Sequence, residues 1–334
     1  MTTSNIYPRS SVTDSFLDVS RANHCRLDNA WAVILAGGDG LPRRAIIPSF
    51  LRGQRPSHFC RTANSDFVIN QTRQQVSRAI PPERTMVAVS ENHLRYAKEV
   101  LGDVPSKNII VEPQDDGTTF AMLYSLLRVR EKDRKATVVF FPPALSVPDP
   151  RSFMARVQNA IDAVDRQPRL ILLGVEPAGA DPNREWIEPD MSLPAHENLN
   201  VWPVLRFRDT ISRSDARELM KRDGLWNSSV IVGKIWMFLG KIRRARSDIY
   251  KAFEAAEAKI GTSGEASAMR RVYYNNYTES DFSRDVLQKS ADQLAVIPVA
   301  AAKVKAVGRV SPKAARSLHR KTTFEAIGAA AARA

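Results

Sequence analysis

Apolar positions in this chain fall into short unbroken runs separated by longer stretches of helical spacing. Trp31 to Ala36 is apolar throughout and runs straight into Gly37, Gly38 and Gly40. Such a run, closed by turn residues, predicts a strand buried on both faces of a parallel sheet. Similar runs predict strands at 85–89, 108–112, 136–141 and 169–174. Between them, helical spacing predicts helices at 67–79, 93–101, 118–130 and 151–164, the last with Pro150 well placed at its start. This alternation predicts an α/β fold, a central mostly parallel mixed sheet flanked by helices. After about residue 180 the rhythm changes. Strands are predicted at 186–187, 201–207, 226–232 and 294–299, with longer loops between them and one amphipathic helix over 235–259. Residues 41–66, with Pro42, Pro48, Gly53 and Pro56, read as a long loop. The organisation expected is an N-terminal extension over 1–30, one domain over 31–302 with halves at 31–175 and 176–302, and a basic tail over 303–334.

Composition narrows the class without naming the chemistry. Hydrophobic residues make up 43% and charged residues 25%, ordinary for a soluble globular chain. No apolar run approaches the roughly 18 residues that a membrane helix needs, so no membrane is expected. The start of the chain is polar and lacks a secretory core. Two cysteines, Cys25 and Cys60, cannot build a disulfide framework, so a cytoplasmic location is expected. The net charge is +13, of which +7 lies between Lys303 and Ala334. That tail has no aromatic interleaving, and nucleic acid ranks last among its expected partners.

The candidate chemistry centres on the glycines. A Gly-rich turn after the first strand is where α/β sheets hold nucleotides, because glycine lets a ligand approach the backbone closely. A plain strand-to-loop turn explains the glycines equally well, so other segments decide. Ala32-Val33-Ile34-Leu35-Ala36-Gly37-Gly38-Asp39-Gly40 resembles the opening signature of the sugar-phosphate nucleotidyltransferases. Other segments keep that family's order: Arg55-Pro56-Ser57-His58-Phe59, Glu112-Pro113 through Gly117-Thr118, Val138 to Pro142, Trp186-Ile187-Glu188-Pro189, Gly224-Leu225-Trp226-Asn227-Ser228, and Phe282 to Leu287. Within the family the chain is most similar to the mannose-1-phosphate guanylyltransferases.

The resemblance implies a Rossmann-like nucleotidyltransferase (GT-A-like) fold. It also implies a reaction in which mannose-1-phosphate attacks the α-phosphorus of GTP, giving GDP-mannose and pyrophosphate. On this basis Leu35, Ala36, Gly37, Gly38, Gly40 and Gly117 are nucleotide-binding candidates, and Glu188, Asp209 and Asn227 are sugar-binding candidates. The family's phosphate-binding Arg and Lys and the Arg before Gly-Thr fall here at Pro42, Ser57 and Asp116. Its two metal aspartates, which hold Mg²⁺, fall at Ala144 and Ala306. Arg184-Glu185 replaces its Tyr-Gly before Trp186. No residue is therefore assigned as catalytic, and the Mg²⁺ site is expected to be lost. Asp39, Asp115, Asp116 and Asp149 could offer a relocated metal site, and Arg43, Arg44 and Arg55 relocated phosphate contacts; solvated loop surface is the simpler reading of all seven.

The expectation is weak or absent turnover. The alternative is a non-catalytic regulatory or nucleotide-sugar-binding pseudoenzyme that partners an active relative. GTP or a GDP-sugar are the ligands expected, with homo-oligomers or a hetero-oligomer as the assemblies. Cys60 reads as an inert buried thiol, His58 as a weak phosphate candidate and His93 as a helix-start residue. Trp186 and Trp226 read as packing residues, and Asn227 as the side chain aimed at a sugar-sized pocket.

Overall fold

The computed structural model describes residues 29–38, 55–62, 65–145, 149–192, 200–209, 211–275 and 278–300. Gly40, Pro42 and Ala306, with Asp39, Arg43 and Arg44, lie outside these residues, as do the N-terminal extension through residue 28 and the basic tail.

Strand β1 (Ala30–Ala36) occupies the middle of the parallel half of the sheet. All of its residues but Leu35 are buried, as its unbroken apolar run predicts. Helix α1 (Val68–Val76) leads to β2 (Thr85–Ser90), then α2 (Leu94–Val100), β3 (Ile109–Glu112), α3 (Thr118–Lys132), β4 (Thr137–Phe141), α4 (Pro150–Arg166) and β5 (Leu170–Val175). β1 pairs in parallel with β2 on one side and β4 on the other. The ends of β1, β2 and β3 therefore open on one side, where Gly37, Glu91 and Pro113 leave the sheet. Helix α4 begins as its sequence predicts: Pro150 takes the first turn and the Asp149 carboxylate accepts from Ser152 N at 3.0 Å.

The second half holds β6 (Trp186–Pro189), β7 (Trp202–Arg208), α5 (Arg213–Lys221), β8 (Leu225–Lys234), α6 (Ile235–Ala245), α7 (Ser247–Ala256), α8 (Glu265–Tyr274) and β9 (Leu294–Val299). One nine-stranded sheet joins both halves in the order β3-β2-β1-β4-β8-β5-β9-β7-β6. Parallel pairing covers β3-β2-β1-β4 and β5–β9; β8, β7 and β6 pair antiparallel, so the sheet is mixed. An additional β6–β8 pairing closes β8, β5, β9, β7 and β6 into a ring.

The predicted helix over 235–259 is in fact two helices and a final 3₁₀ turn, broken at Arg246. The Arg246 guanidinium binds the Asp248 carboxylate at 2.7 and 3.0 Å, and α7 starts afresh there. Helices α5 and α8 are not predicted by the hydrophobic spacing. The α5 start nevertheless carries a local signal, a capping box in which Ser212 Oγ accepts from Asp215 N and the Asp215 carboxylate accepts from Ser212 N.

The core lies on both faces of the sheet. Helix α3 is buried almost all round, because α6, α7 and α8 cover the side it turns away from the strands. Phe120 of α3 packs against Phe253 and Tyr273, with ring centroids 5.8 and 5.3 Å apart. No helix among the described residues is long and apolar enough to cross a membrane.

Candidate functional site

The site is built where β1, β2 and β3 end. Glu112 closes β3 and is 1% exposed. Its Oε2 accepts from the Tyr273 hydroxyl of α8 at 3.1 Å. Its Oε1 is buried with no hydrogen-bond partner among the described residues. That oxygen lies against Gly37: a Cβ built there would stand 2.5 Å from it. Gly37 is thus required by the approach of a side chain, quite apart from any ligand.

The turn after β3 brings Asp115 and Asp116 close to Glu112. Burial, reinforced by the charge of Asp115, pushes the Glu112 carboxyl up to about 8, with Tyr273 opposing. Burial pushes Asp116 up to about 6; the Gln114 amide, 2.8 Å away, opposes this and Asp115 and Glu279 add to it. At neutral pH Glu112 is therefore protonated. The Asp116 Oδ2 is also buried without a partner among the described residues.

Gly117 follows at φ 95° and caps α3. Ser280 locks onto this cap: its carbonyl accepts from Thr119 N at 3.1 Å and its own N–H donates to Asp116 O at 2.9 Å. The nucleotide candidates Leu35, Ala36, Gly37, Gly38 and Gly117 therefore converge on one end of the sheet, with Gly38 exposed and Asp115 Oδ2 beside it.

His58 and Arg55 do not face this opening as free groups. His58 is 1% exposed, and its Nε2 donates to Ala36 O at 3.2 Å beneath the end of β1. Burial, then the charge of neighbouring His93, lowers it to about 4, against the backbone hydrogen bond. A neutral imidazole is thus a structural requirement of this turn. Between pH 6.5 and about 4 the unfolded chain takes up a proton that the native state refuses. Stability is therefore fully present above the ordinary histidine value and falls as the pH drops toward about 4, by roughly 3 kcal/mol. His58→Gln keeps a donor without the charge, and is expected to flatten this acid limb in urea melts followed by circular dichroism. A wild-type slope in the variant would refute the assignment.

Arg55 donates to Phe59 O at 2.7 Å and pairs with Glu99 at 2.8 Å, so its charge is taken up locally. Ser57 opens a 3₁₀ turn that His58 and Phe59 complete. His93 is buried in the turn before α2. Cys60 is half-buried rather than fully buried, and burial raises its thiol pKa.

Of the sugar-side candidates, the strand registers set Asp209 and Asn227 on either side of Glu185, three residues before Glu188. Asn227 donates to the Glu185 carboxylate at 2.6 Å and its Oδ1 accepts from Ser229 N at 3.1 Å. Glu185, which stands where the resembled family has glycine, thus occupies the Asn227 amide. Glu188 is buried at the end of the ring, with Arg206 and Arg222 at 4.0 and 3.9 Å. Asp209 lies half-buried after β7. Trp186 is fully buried against Ile211, Ala216 and Leu219, with Trp226 edge-on at 6.1 Å and Arg184 stacked over the Trp226 ring. These tryptophans are packing residues.

Magnesium needs oxygen donors, and Ala144 after β4 offers none. Asp149 is engaged in capping α4. Among the described residues no group of three His, Cys, Asp or Glu side chains converges to hold a metal ion. The adjacent carboxylates of Asp115 and Asp116 are visible in the sequence; the burial of Glu112 beneath them, against Tyr273 of α8, is the feature that sequence reading misses. A buried glutamate at a strand end beside Gly37 is visible only in three dimensions.

No family model matches this chain. In sequence it is similar to mannose-1-phosphate guanylyltransferase 2 of Escherichia coli O157:H7, 25% identical over 232 residues, covering 67% of this chain and 47% of that protein. The chain thus spans about half the length of that relative. In structure it is similar to a mannose-1-phosphate geranyltransferase from Thermus thermophilus, with a TM-score of 0.69, 18% identity, and 83% of this chain and 75% of the other covered. It is also similar to a mannose-6-phosphate isomerase from Helicobacter pylori, with a TM-score of 0.61, 16% identity, and coverage of 81% and 97%. In sequence the chain is thus similar to a mannose-1-phosphate guanylyltransferase, and it shares its fold with the two solved structures.

Proposed function

We propose that this chain keeps the nucleotidyltransferase frame as a binding or regulatory protein and makes GDP-mannose very slowly or not at all. The observation that carries this is the carboxyl pair of Asp115 and Asp116 in the turn after β3, with Asp115 Oδ2 beside Gly38. Attack on an α-phosphorus needs cations that spread the developing charge. Carboxylates at this turn oppose a polyphosphate instead. Asp116 stands where the resembled family has arginine, Ser57 where it has lysine, and Ala144 where it has a metal aspartate.

What remains suits an uncharged or donor-bearing ligand edge. The exposed backbone of Gly38, at the end of the glycine turn, is open to the edge of a base. A nucleotide or GDP-sugar would then bind through its base and sugar, against the repulsion of its phosphates.

The test is pyrophosphate release by the purified chain with GTP, mannose-1-phosphate and Mg²⁺. Losing one charge-stabilising donor costs about 10²–10³ in rate, and losing several gives an expected turnover at least about 10⁴-fold below an active guanylyltransferase. Turnover at the rate of an active enzyme would overturn the proposal. Calorimetry with GTP and GDP-mannose, with and without Mg²⁺, then separates two roles. Saturable binding identifies a ligand-binding relic, and none identifies a protein that acts through partners.

A further inference from the structure

The edge of the sheet opposite the glycine turn gathers positive charge around one exposed tryptophan. Trp236, in the first turn of α6, is 61% exposed, the most exposed of the large hydrophobic side chains among the described residues. The neighbouring Ile235 N–H donates to Ala136 O at 3.2 Å, which sets Trp236 beside the segment entering β4, where Arg134 and Lys135 are exposed. Lys234 lies opposite Thr137 in the β4–β8 register. Across β8, Leu170 pairs with Leu294, so Arg169 and Gln293 enter the sheet side by side. Lys241 of α6 donates to Gln293 Oε1 at 3.0 Å and is 8% exposed. Arg244 follows one turn later.

The acids on this edge are partly taken up. Asp165 pairs with Lys234 at 2.5 Å, and Asp133 accepts from Lys135 N at 2.9 Å. Asp292 stands near Lys241 but makes no ion pair with it within 4.0 Å among the described residues. Burial lowers the Lys241 pKa to about 8; the charge of Asp292 opposes this and those of Arg244 and Arg169 add to it. The N-terminal end of α6 adds its dipole beside Trp236. The chain as a whole has a sequence pI of about 9.9.

The geometry points to a binding surface for single-stranded nucleic acid on this edge, with Trp236 as its stacking platform. On this edge Arg134, Lys135, Arg169, Lys234, Lys241 and Arg244 outnumber Asp133, Asp165 and Asp292, and a local excess of cations is the electrostatic part of a nucleic-acid footprint. Cations alone attract any polyanion. An exposed indole among them adds the other half of single-strand recognition, since every unstacked base offers a π-face and its flanking phosphates meet the arginines. The basic tail carries one phenylalanine, Phe324, and no indole, whereas the folded body supplies an exposed one. This surface lies away from the cradle of β1 and β3, so it stands or falls apart from the function proposed above.

The test is fluorescence anisotropy of a labelled oligouridine titrated with the full chain at several KCl concentrations. Binding that weakens as salt rises is expected, with a slope set by the number of phosphates contacted. Trp236→Ala is expected to weaken it about tenfold, the size of one lost base stack. Arg169→Gln with Arg244→Gln is expected to lower the salt slope by about 1–2. Trp236 and Arg244 are exposed and Arg169 half-buried, and circular dichroism checks that each variant keeps the fold. Absence of binding at low salt would overturn the proposal. So would unchanged binding in Trp236→Ala, which would assign the affinity to the tail. Displacement by polyglutamate as effective as by unlabelled oligouridine would overturn it too, identifying instead a surface for acidic proteins.

Discussion

Raising the pH from about 4.5 to about 8 is expected to remove on the order of 5 kcal/mol from the stability of this chain through Glu112 alone. In the native state its carboxyl is held protonated up to about 8 by burial and by Asp115. In the unfolded chain it ionises near the ordinary value of 4.5. Between these limits the native state binds the extra proton, so unfolding becomes easier as the pH rises. The contribution is complete below about 4.5 and gone above about 8. Glu112→Gln is isosteric, can still accept from Tyr273, and cannot ionise. Urea midpoints across this range should fall steeply for the wild type and much less for the variant, with the variant the more stable at alkaline pH. Parallel curves would mean that Glu112 is charged in the folded protein. The native site would then be more acidic than described, and the case against polyphosphate binding stronger still.

The second large effect is expected at Gly117. Its φ of 95° and ψ of 172° lie in a region that only glycine occupies readily. A Cβ there would stand 2.4 Å from Ser280 O, a backbone atom that also accepts from Thr119 N and cannot swing aside. Strain and overpacking together give a loss of about 3–5 kcal/mol for Gly117→Ala. The Ser280 side chain couples the damage further, because its hydroxyl bonds both Thr119 Oγ1 and the Asp285 carboxylate. Gly240 is the internal control. It lies on the exposed face of α6, and an added Cβ would meet nothing within 4 Å. Gly240→Ala should stabilise the chain by up to about 1 kcal/mol. Comparable destabilisation by both substitutions in urea unfolding would show that the cap geometry is not what Gly117 supplies.

The parallel half of the fold is legible in the sequence because its signals are local and strong. Unbroken apolar runs mark β1, β2, β4 and β5 within a residue or so, and Pro150 marks the start of α4. The late apolar run over 294–299 coincides with β9 at both ends. Helices α5 and α8 are harder to read. The nine residues of α5 bury only Ala216 and Leu219, so its apolar stripe is thin, and only the Ser212 and Asp215 cap announces it. Over 235–259 the spacing predicts one helix where there are two, because the amphipathic pattern continues in phase across Arg246 while the backbone does not.

The site is legible in part. The turn at Gly37 and Gly117 follows from glycine placement. The burial of Glu112 does not, because it depends on Tyr273, 161 residues away in sequence. The role of His58 is hidden for the same reason. Its partner is the carbonyl of Ala36, and a backbone acceptor leaves no trace in the sequence.

The closed ring of strands sets a timetable for making this protein. β9 is the last described strand to leave the ribosome, yet it sits between β5 and β7. Until Leu294 reaches Leu170, β5 and β7 each present an open edge of unpaired backbone groups. Pairing over such a separation is slow, and open edges recruit other chains while they wait. A nascent chain stalled or cut before β9 would hold most of its core and none of this closure. Such fragments should be aggregation-prone, and the yield of folded protein should depend on how well the cell shelters the nearly finished chain.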